Sequence, residues 1–193
     1  MTSRRSLFLS ALSIAMTTML ASSSVADGSF FQLDWTGSDL TMVGSEQRGQ
    51  LTFGATTIYS GESAELSARV VHGFPLPWNI DGKVGPELQF SRNSGVVELD
   101  GGLFLSADRW QPTFFGSFYW LAELHSIENA WFTSVQFGFT GSSVLEISSG
   151  GSDTYNDSAI AISRRLGDGP WLFRAGYRLK SDVAFFGLIY NTY

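Results

Sequence analysis

The chain has 193 residues, no cysteine, 12 Lys and Arg against 18 Asp and Glu, and a formal net charge of −6. Without cysteine there are no disulfides, thiolate metal sites or cysteine nucleophiles, and an acidic balance excludes a nucleic-acid partner, which requires a basic footprint. Charged residues make up only 16% while aromatics reach 15%, with 21 glycines, so charge is scarce relative to an ordinary soluble domain.

The first segment, MTSRRSLFLSALSIAMTTMLASSSVADG, carries Arg4 and Arg5, then an apolar stretch over residues 7–20, then the small-residue site Ser24-Val25-Ala26. This order predicts a secretory signal peptide over 1–26, leaving 27–193 as one domain. Ser10, Ser13, Thr17 and Thr18 interrupt the apolar stretch and disfavour a retained membrane helix. No later apolar run is long enough for a spanning helix, so only strands could carry the rest of the chain into a membrane.

From residue 27 onward the pattern is strand and turn. Segments rich in Val, Ile, Phe, Tyr, Trp and Thr alternate with turn signals such as Arg92-Asn93-Ser94-Gly95 and Gly167-Asp168-Gly169-Pro170. The predicted strands are 29–37, 48–59, 63–74, 83–92, 95–108, 113–125, 129–140, 142–149, 156–166, 170–180 and 183–193. That is an odd set, whereas bacterial single-chain barrels favour even numbers. The expectation is therefore about ten strands, with eight to twelve open and 29–37 and 142–149 the first to be dropped.

Within these segments apolar and polar residues alternate. Trp171, Phe173, Ala175 and Tyr177 oppose Arg174, Gly176 and Arg178; Val97, Leu99, Leu103 and Leu105 oppose Glu98, Asp100 and Ser106. Strands with one dry and one wet face are antiparallel. Periodicity alone does not say which face points outward. In a soluble barrel the apolar face is inside, and in a membrane barrel it meets lipid. Three features favour the second arrangement. The strands have bilayer-crossing length. Lys83 and Lys180 are the only lysines. Aromatics gather near strand ends (Trp35, Tyr59, Trp78, Trp110, Trp171, Tyr190, Tyr193), as interfacial girdles require. The fold class is all-β: a single antiparallel up-and-down transmembrane β-barrel.

The chain ends WLFRAGYRLKSDVAFFGLIYNTY, two apolar runs around a short polar turn, stopping on an aromatic. In this it resembles small Gram-negative outer-membrane β-barrels, whose last strand ends on an aromatic residue read by the assembly machinery. Residues 183–193 look like that strand, with Tyr193 as the insertion signal. The usual pattern ends in Phe with a hydrophobic residue third from last; here those positions hold Tyr193 and Asn191. The resemblance implies outer-membrane localisation, a lipid bilayer and the assembly machinery as partners, and pairing of the last strand with the first. The ending GLIYNTY is also similar to barrels associated with cellulose biosynthesis. With Tyr193 on the periplasmic side, the outer loops would be SGES, RNSG, SIEN, GGSDTYND and KSD, all short, and FPLPWNID would be periplasmic.

The polar faces gather a lumen charge network: Asp34, Glu65, Arg69, Lys83, Glu87, Glu98, Asp100, Glu123, Glu146, Arg174 and Arg178, with Arg165 at its margin. Such a set either selects a solute or fills a narrow barrel with mutually satisfied ion pairs, and the second reading is preferred. The catalytic candidates are Glu123, His125 and Ser126. Small outer-membrane barrels include lipid A deacylases and a phospholipase, which resemblance would imply a Ser–His pair. Here His125 and Ser126 are adjacent, so a continuing strand points them to opposite faces, while Glu123 shares a face with His125. Ser117 is too distant along the strand. His72 has the parity of the apolar face. Two histidines supply no zinc set; the 152–157 loop reads as an ordinary polar loop rather than a calcium site, and no cofactor is expected.

These readings point to a non-enzymatic outer-membrane barrel, structural or accessory to polymer or lipid traffic, with lipopolysaccharide or an exported polymer as further candidate partners. Two rivals remain: an outer-membrane lipid-processing hydrolase, and a soluble periplasmic lipocalin-like binder of an apolar ligand.

Overall fold

A computed structural model describes residues 28–61, 63–140 and 142–193; the expected signal peptide lies outside the described residues. Twelve strands follow one another: β1 (Gly28–Trp35), β2 (Asp39–Arg48), β3 (Leu51–Ser60), β4 (Ser63–Leu76), β5 (Ile80–Asn93), β6 (Val96–Thr113), β7 (Gly116–His125), β8 (Trp131–Phe139), β9 (Ser143–Gly151), β10 (Asn156–Arg165), β11 (Trp171–Arg178) and β12 (Val183–Asn191). Each pairs antiparallel with its neighbours in sequence, and β1 pairs with β12, so the sheet is a closed up-and-down barrel.

The strand count corrects the expectation of about ten. Both segments that were first to be dropped are real strands, β1 and β9, and the missing one is β2, DLTMVGSEQR. The register explains why its alternation is blurred. Thr41, Val43, Ser45 and Gln47 share the side of Asp34 and Gln32, and the other face carries Leu40, Met42, Gly44 and Glu46. Valine on the wet side and glycine and glutamate on the dry one leave no period-2 signal to read.

Elsewhere the register puts apolar residues outside and polar residues inside. Phe173 pairs with Leu188, Phe137 with Phe118, and Trp120 with Val135. On the opposite face, Arg174 pairs with Gly187 and Glu146 with Gln136. Most of the large apolar side chains left exposed, among them Leu88, Leu103, Ile160, Ile162 and Phe186, lie on the outward face, with Ile58, Val96 and Trp110 the inward exceptions. In water this would be an aggregation surface; against hydrocarbon it is the stable arrangement. Outward Trp35, Tyr59, Trp131 and Tyr177 ring one mouth, and Trp171 packs on Tyr190 with centroids 5.0 Å apart near the other. Trp110 departs from the expected girdle, since its register with Tyr119 gives it inward parity.

The first and last described residues lie at the same mouth, where Thr192 N–H donates to Ser29 carbonyl at 3.0 Å. The turns at the opposite mouth are short, as expected. The segment FPLPWNID is not a long loop. It is the continuation of β4 and β5 around Pro77–Asn79, with Trp78 in the left-handed region at φ 64°. At the far mouth the β5–β6 hairpin stands above β7. The β6–β7 ladder begins only at Phe104, and Ser126 Oγ accepts from Leu103 N–H at 2.8 Å, closing the end of β7 against β6.

The polarity inversion can be tested directly. Ile162→Arg, at mid-height on the outward face of β10, should destabilise the barrel by about 2–4 kcal/mol in lipid vesicles, measured by denaturant unfolding. Thr56→Arg, whose register faces the lumen, should cost clearly less.

Candidate functional site: the charged lumen

Two side-chain clusters of the same design span the interior, each built on a buried phenylalanine. The first gathers on Phe185, in β12. The Arg174 guanidinium lies 5.3 Å from its ring centroid and that of Arg178 6.0 Å, a cation–π arrangement that gains from desolvation. Arg174 makes a bidentate pair with Glu146, Nη1 to Oε2 at 2.8 Å and Nη2 to Oε1 at 2.9 Å. Its Nε faces Asp34 Oδ1 at 3.4 Å. Gln32 donates to Asp34 Oδ2 at 2.8 Å, and Gln136 donates to Glu146 Oε2 at 3.1 Å. Arg174 is 4% exposed, so this cation has exchanged water for carboxylates almost completely. Gly187 makes the approach possible, because a Cβ there would collide with Asp34 Oδ1 and the Leu33 carbonyl.

The second cluster gathers on Phe104, in β6. Arg69 lies over its ring at 4.4 Å, and the His125 ring meets it edge-on at 5.0 Å. Glu87, 2% exposed, takes His125 Nδ1 on Oε2 at 2.7 Å and faces Arg69 with Oε1 at 3.9 Å. Glu123 stands 3.8 Å from the other Arg69 nitrogen. Gly54, opposite Arg69 in the β3–β4 ladder, leaves room for the guanidinium stem; a Cβ there would sit 2.9 Å from Arg69 Nε. Below this cluster, Lys83 donates to Asp108 at 3.1 Å.

Every residue of the expected charge network has inward parity, but they do not form one network. Asp34, Glu146, Arg174 and Arg178 belong to one cluster, and Arg69, Glu87 and Glu123 to the other. Lys83 is held by Asp108, which the sequence reading omitted. Glu98 and Asp100 are exposed on the β5–β6 hairpin, and Glu65 lies on the same wall opposite Ser91. Arg165 pairs across from Leu172 near the terminal mouth. Phe104 and Phe185 were missed as lumen residues. Parity would have found them, since each falls between two outward apolar neighbours, Leu103 and Leu105 or Ala184 and Phe186.

The catalytic candidates do not converge. Glu123 is engaged with Arg69, and His125 takes its partner from a different strand, Glu87 of β5, rather than from Glu123. The Ser126 hydroxyl oxygen accepts from Leu103 N–H and makes no hydrogen bond to the His125 ring. His72 has outward parity, opposite Leu51 and Val84. The 152–157 segment is closed by its own hydrogen bonds, with Tyr155 OH donating to Asp157 at 3.2 Å.

At the far rim, above the apolar band that begins at Ile160 on this strand, Asp157 ties the β9–β10 and β11–β12 turns together. It accepts from Ser181 Oγ at 2.6 Å, Lys180 N–H at 2.9 Å and Ser158 N–H at 2.7 Å. Burial works against the charge, but these donors and Tyr155 outweigh it and hold the carboxyl down at about 2. Tyr155 is pushed above its ordinary value by burial and by the Asp157 charge.

No protein-family model matches the chain, and no curated protein matches it. Solved structures do. A KdgM porin superposes with a TM-score of 0.55 at 9% identity, covering 86% of this chain and 99% of that one. A KdgM porin in complex with disordered oligogalacturonate gives 0.53 at 8% identity with the same coverage. The fold is that of the small outer-membrane β-barrels. At this identity the likeness concerns the path of the chain, and the lumen must be read from its own residues.

Two outcomes test the site. Arg174→Met leaves Glu146 and Asp34 buried without their cation and should cost about 3–5 kcal/mol. Adding Glu146→Gln should return part of that loss, as read in a double-mutant cycle of unfolding in lipid. For Asp157, the folded value lies below the unfolded value of 3.8. Its stabilisation is therefore complete above that value and is lost as pH falls through about 2. Asp157→Asn should loosen the far rim at neutral pH, seen as faster proteolysis at the 179–182 turn, and should flatten the acid dependence.

Proposed function

We propose that this chain is a non-enzymatic outer-membrane β-barrel whose lumen is a narrow, charge-lined passage for small polar solutes. The single observation that carries the reading is the inversion of polarity: exposed Leu, Ile and Phe on the outer wall, charged side chains on the inner one. A lipocalin-like binder requires the reverse, and a lipid hydrolase requires a histidine turned toward a serine hydroxyl, whereas His125 Nδ1 is taken by Glu87.

Passage rather than a solid plug is supported by size and by exposure. Twelve strands about 4.8 Å apart, tilted about 40°, enclose a backbone cylinder of roughly 12 Å radius. That lies between the filled eight-strand barrels and the open porins. Gln32, Thr41, Ser45 and Thr56 on the inner wall retain partial exposure, whereas the two clusters narrow the bore where Arg174 and Glu87 are buried. Resemblance to the KdgM porins supports a channel-like role at the level of the fold.

The mouth that holds Gly28 and Tyr193 faces the periplasm in this reading, and the short turns face outward. The bilayer and the outer-membrane assembly machinery are the first partners, with Tyr193 as the insertion signal. Arg92, on the outer wall near the outward mouth, suits a lipopolysaccharide phosphate.

Heat-modifiability gels on fractionated envelopes should find the folded barrel in the outer membrane, migrating differently before and after boiling. In planar bilayers the purified protein should conduct weakly. Arg174→Ser combined with Glu146→Ser, which clears one cluster, should raise the conductance at least twofold. No current in either form would leave the barrel a structural or accessory element of the envelope.

A further inference from the structure

We infer that this lumen selects for small cations over anions, an inference that rests on the passage proposed above. At the Phe104 constriction the cation is outnumbered. Arg69 faces Glu87 and Glu123, whereas at Phe185 the two arginines, Arg174 and Arg178, balance Asp34 and Glu146. The Phe104 cluster therefore keeps a surplus negative charge after its ion pairs are made.

A second, independent feature marks where that surplus resides. Glu87 Oε1 is buried and, among the described residues, has no hydrogen-bond donor, its nearest cation, Arg69, standing off at 3.9 Å. Its side chain is more than nine-tenths buried and directed inward. A buried carboxylate oxygen without a donor is costly, and a passing cation is the species that relieves it.

The approach from the outward mouth has the same sign. On the wall formed by β4 to β6, Glu65, Glu98 and Asp100 precede the first constriction, and no salt bridge joins any of them to Lys or Arg among the described residues. Lys83, lower on that wall, is neutralised by Asp108. Carboxylates at the mouth and in a low-dielectric bore concentrate cations and repel anions. An acidic oligosaccharide of the kind held by the KdgM neighbour would be repelled here, whereas K⁺ or a small ammonium ion would be drawn in.

The test is the reversal potential of the purified full-length protein in a planar bilayer under a tenfold KCl gradient. The expected result is K⁺ favoured over Cl⁻ by at least threefold. Glu98→Gln with Asp100→Asn changes exposed side chains outside the packed clusters and should lower that ratio. Glu87→Gln with Glu123→Gln should bring it close to unity, with heat-modifiability confirming that the variant is folded. A measurable current with equal or anion-favouring permeability in the wild type overturns the inference and leaves the passage reading standing. A ratio unchanged in both variant pairs overturns the assignment to these carboxylates. Absence of current from both the wild type and the Arg174/Glu146 variant overturns the passage and the selectivity together.

Discussion

In hydrocarbon a backbone N–H or C=O that finds no partner costs several kcal/mol, so a sheet can cross a bilayer only if its first strand meets its last. In this chain the constraint is met by Phe30 to Trp35 pairing with Phe186 to Asn191. It makes β12 an interior member of a ring rather than an edge. Once the ring closes, strict period-2 alternation has a single consequence. One residue set faces lipid and the other is confined to a bore of fixed radius.

Confinement shapes the chemistry of the inner set. Charges that would be solvated on a soluble sheet must here satisfy one another, and they do so in two clusters of the same plan: a buried phenylalanine, an arginine across its face, and two carboxylates around the arginine. Phe185 and Phe104 give the guanidinium planes something to lie on, while Gly187 and Gly54 clear the wall beside them. The inner wall therefore has two tight places rather than a uniform bore. The one on Phe104 has more carboxylates than arginines, so it holds a sign as well as a shape.

Much of this was legible in the residues themselves. Alternation in 171–178 and 97–106 separated two faces, and strand length, scarce lysine and aromatic strand ends assigned them to lipid and lumen as the register has them. It failed at β2, where Val43 lies inside and Gly44 and Glu46 outside, so the strand has no dry face to recognise. It also passed over Phe104 and Phe185, whose hydrophobicity suggests lipid although their parity denies it. The short outward turns, which looked anomalous for an outer-membrane barrel, are the turns of the structure. The apparent long loop FPLPWNID turned out to be paired strand.

The sequence by itself determined the fold class and the inward parity of the charged residues, because both follow from a local period and from the free energy of putting apolar groups against lipid. Which charges meet was decided only by the tertiary structure. His125 reaches Glu87 rather than nearby Glu123, and Arg174 reaches Glu146 across two strand boundaries. Those choices depend on the number of strands and the stagger between them, which rotate and raise each strand around the ring. Both are properties of closure, and no segment of the chain carries them alone.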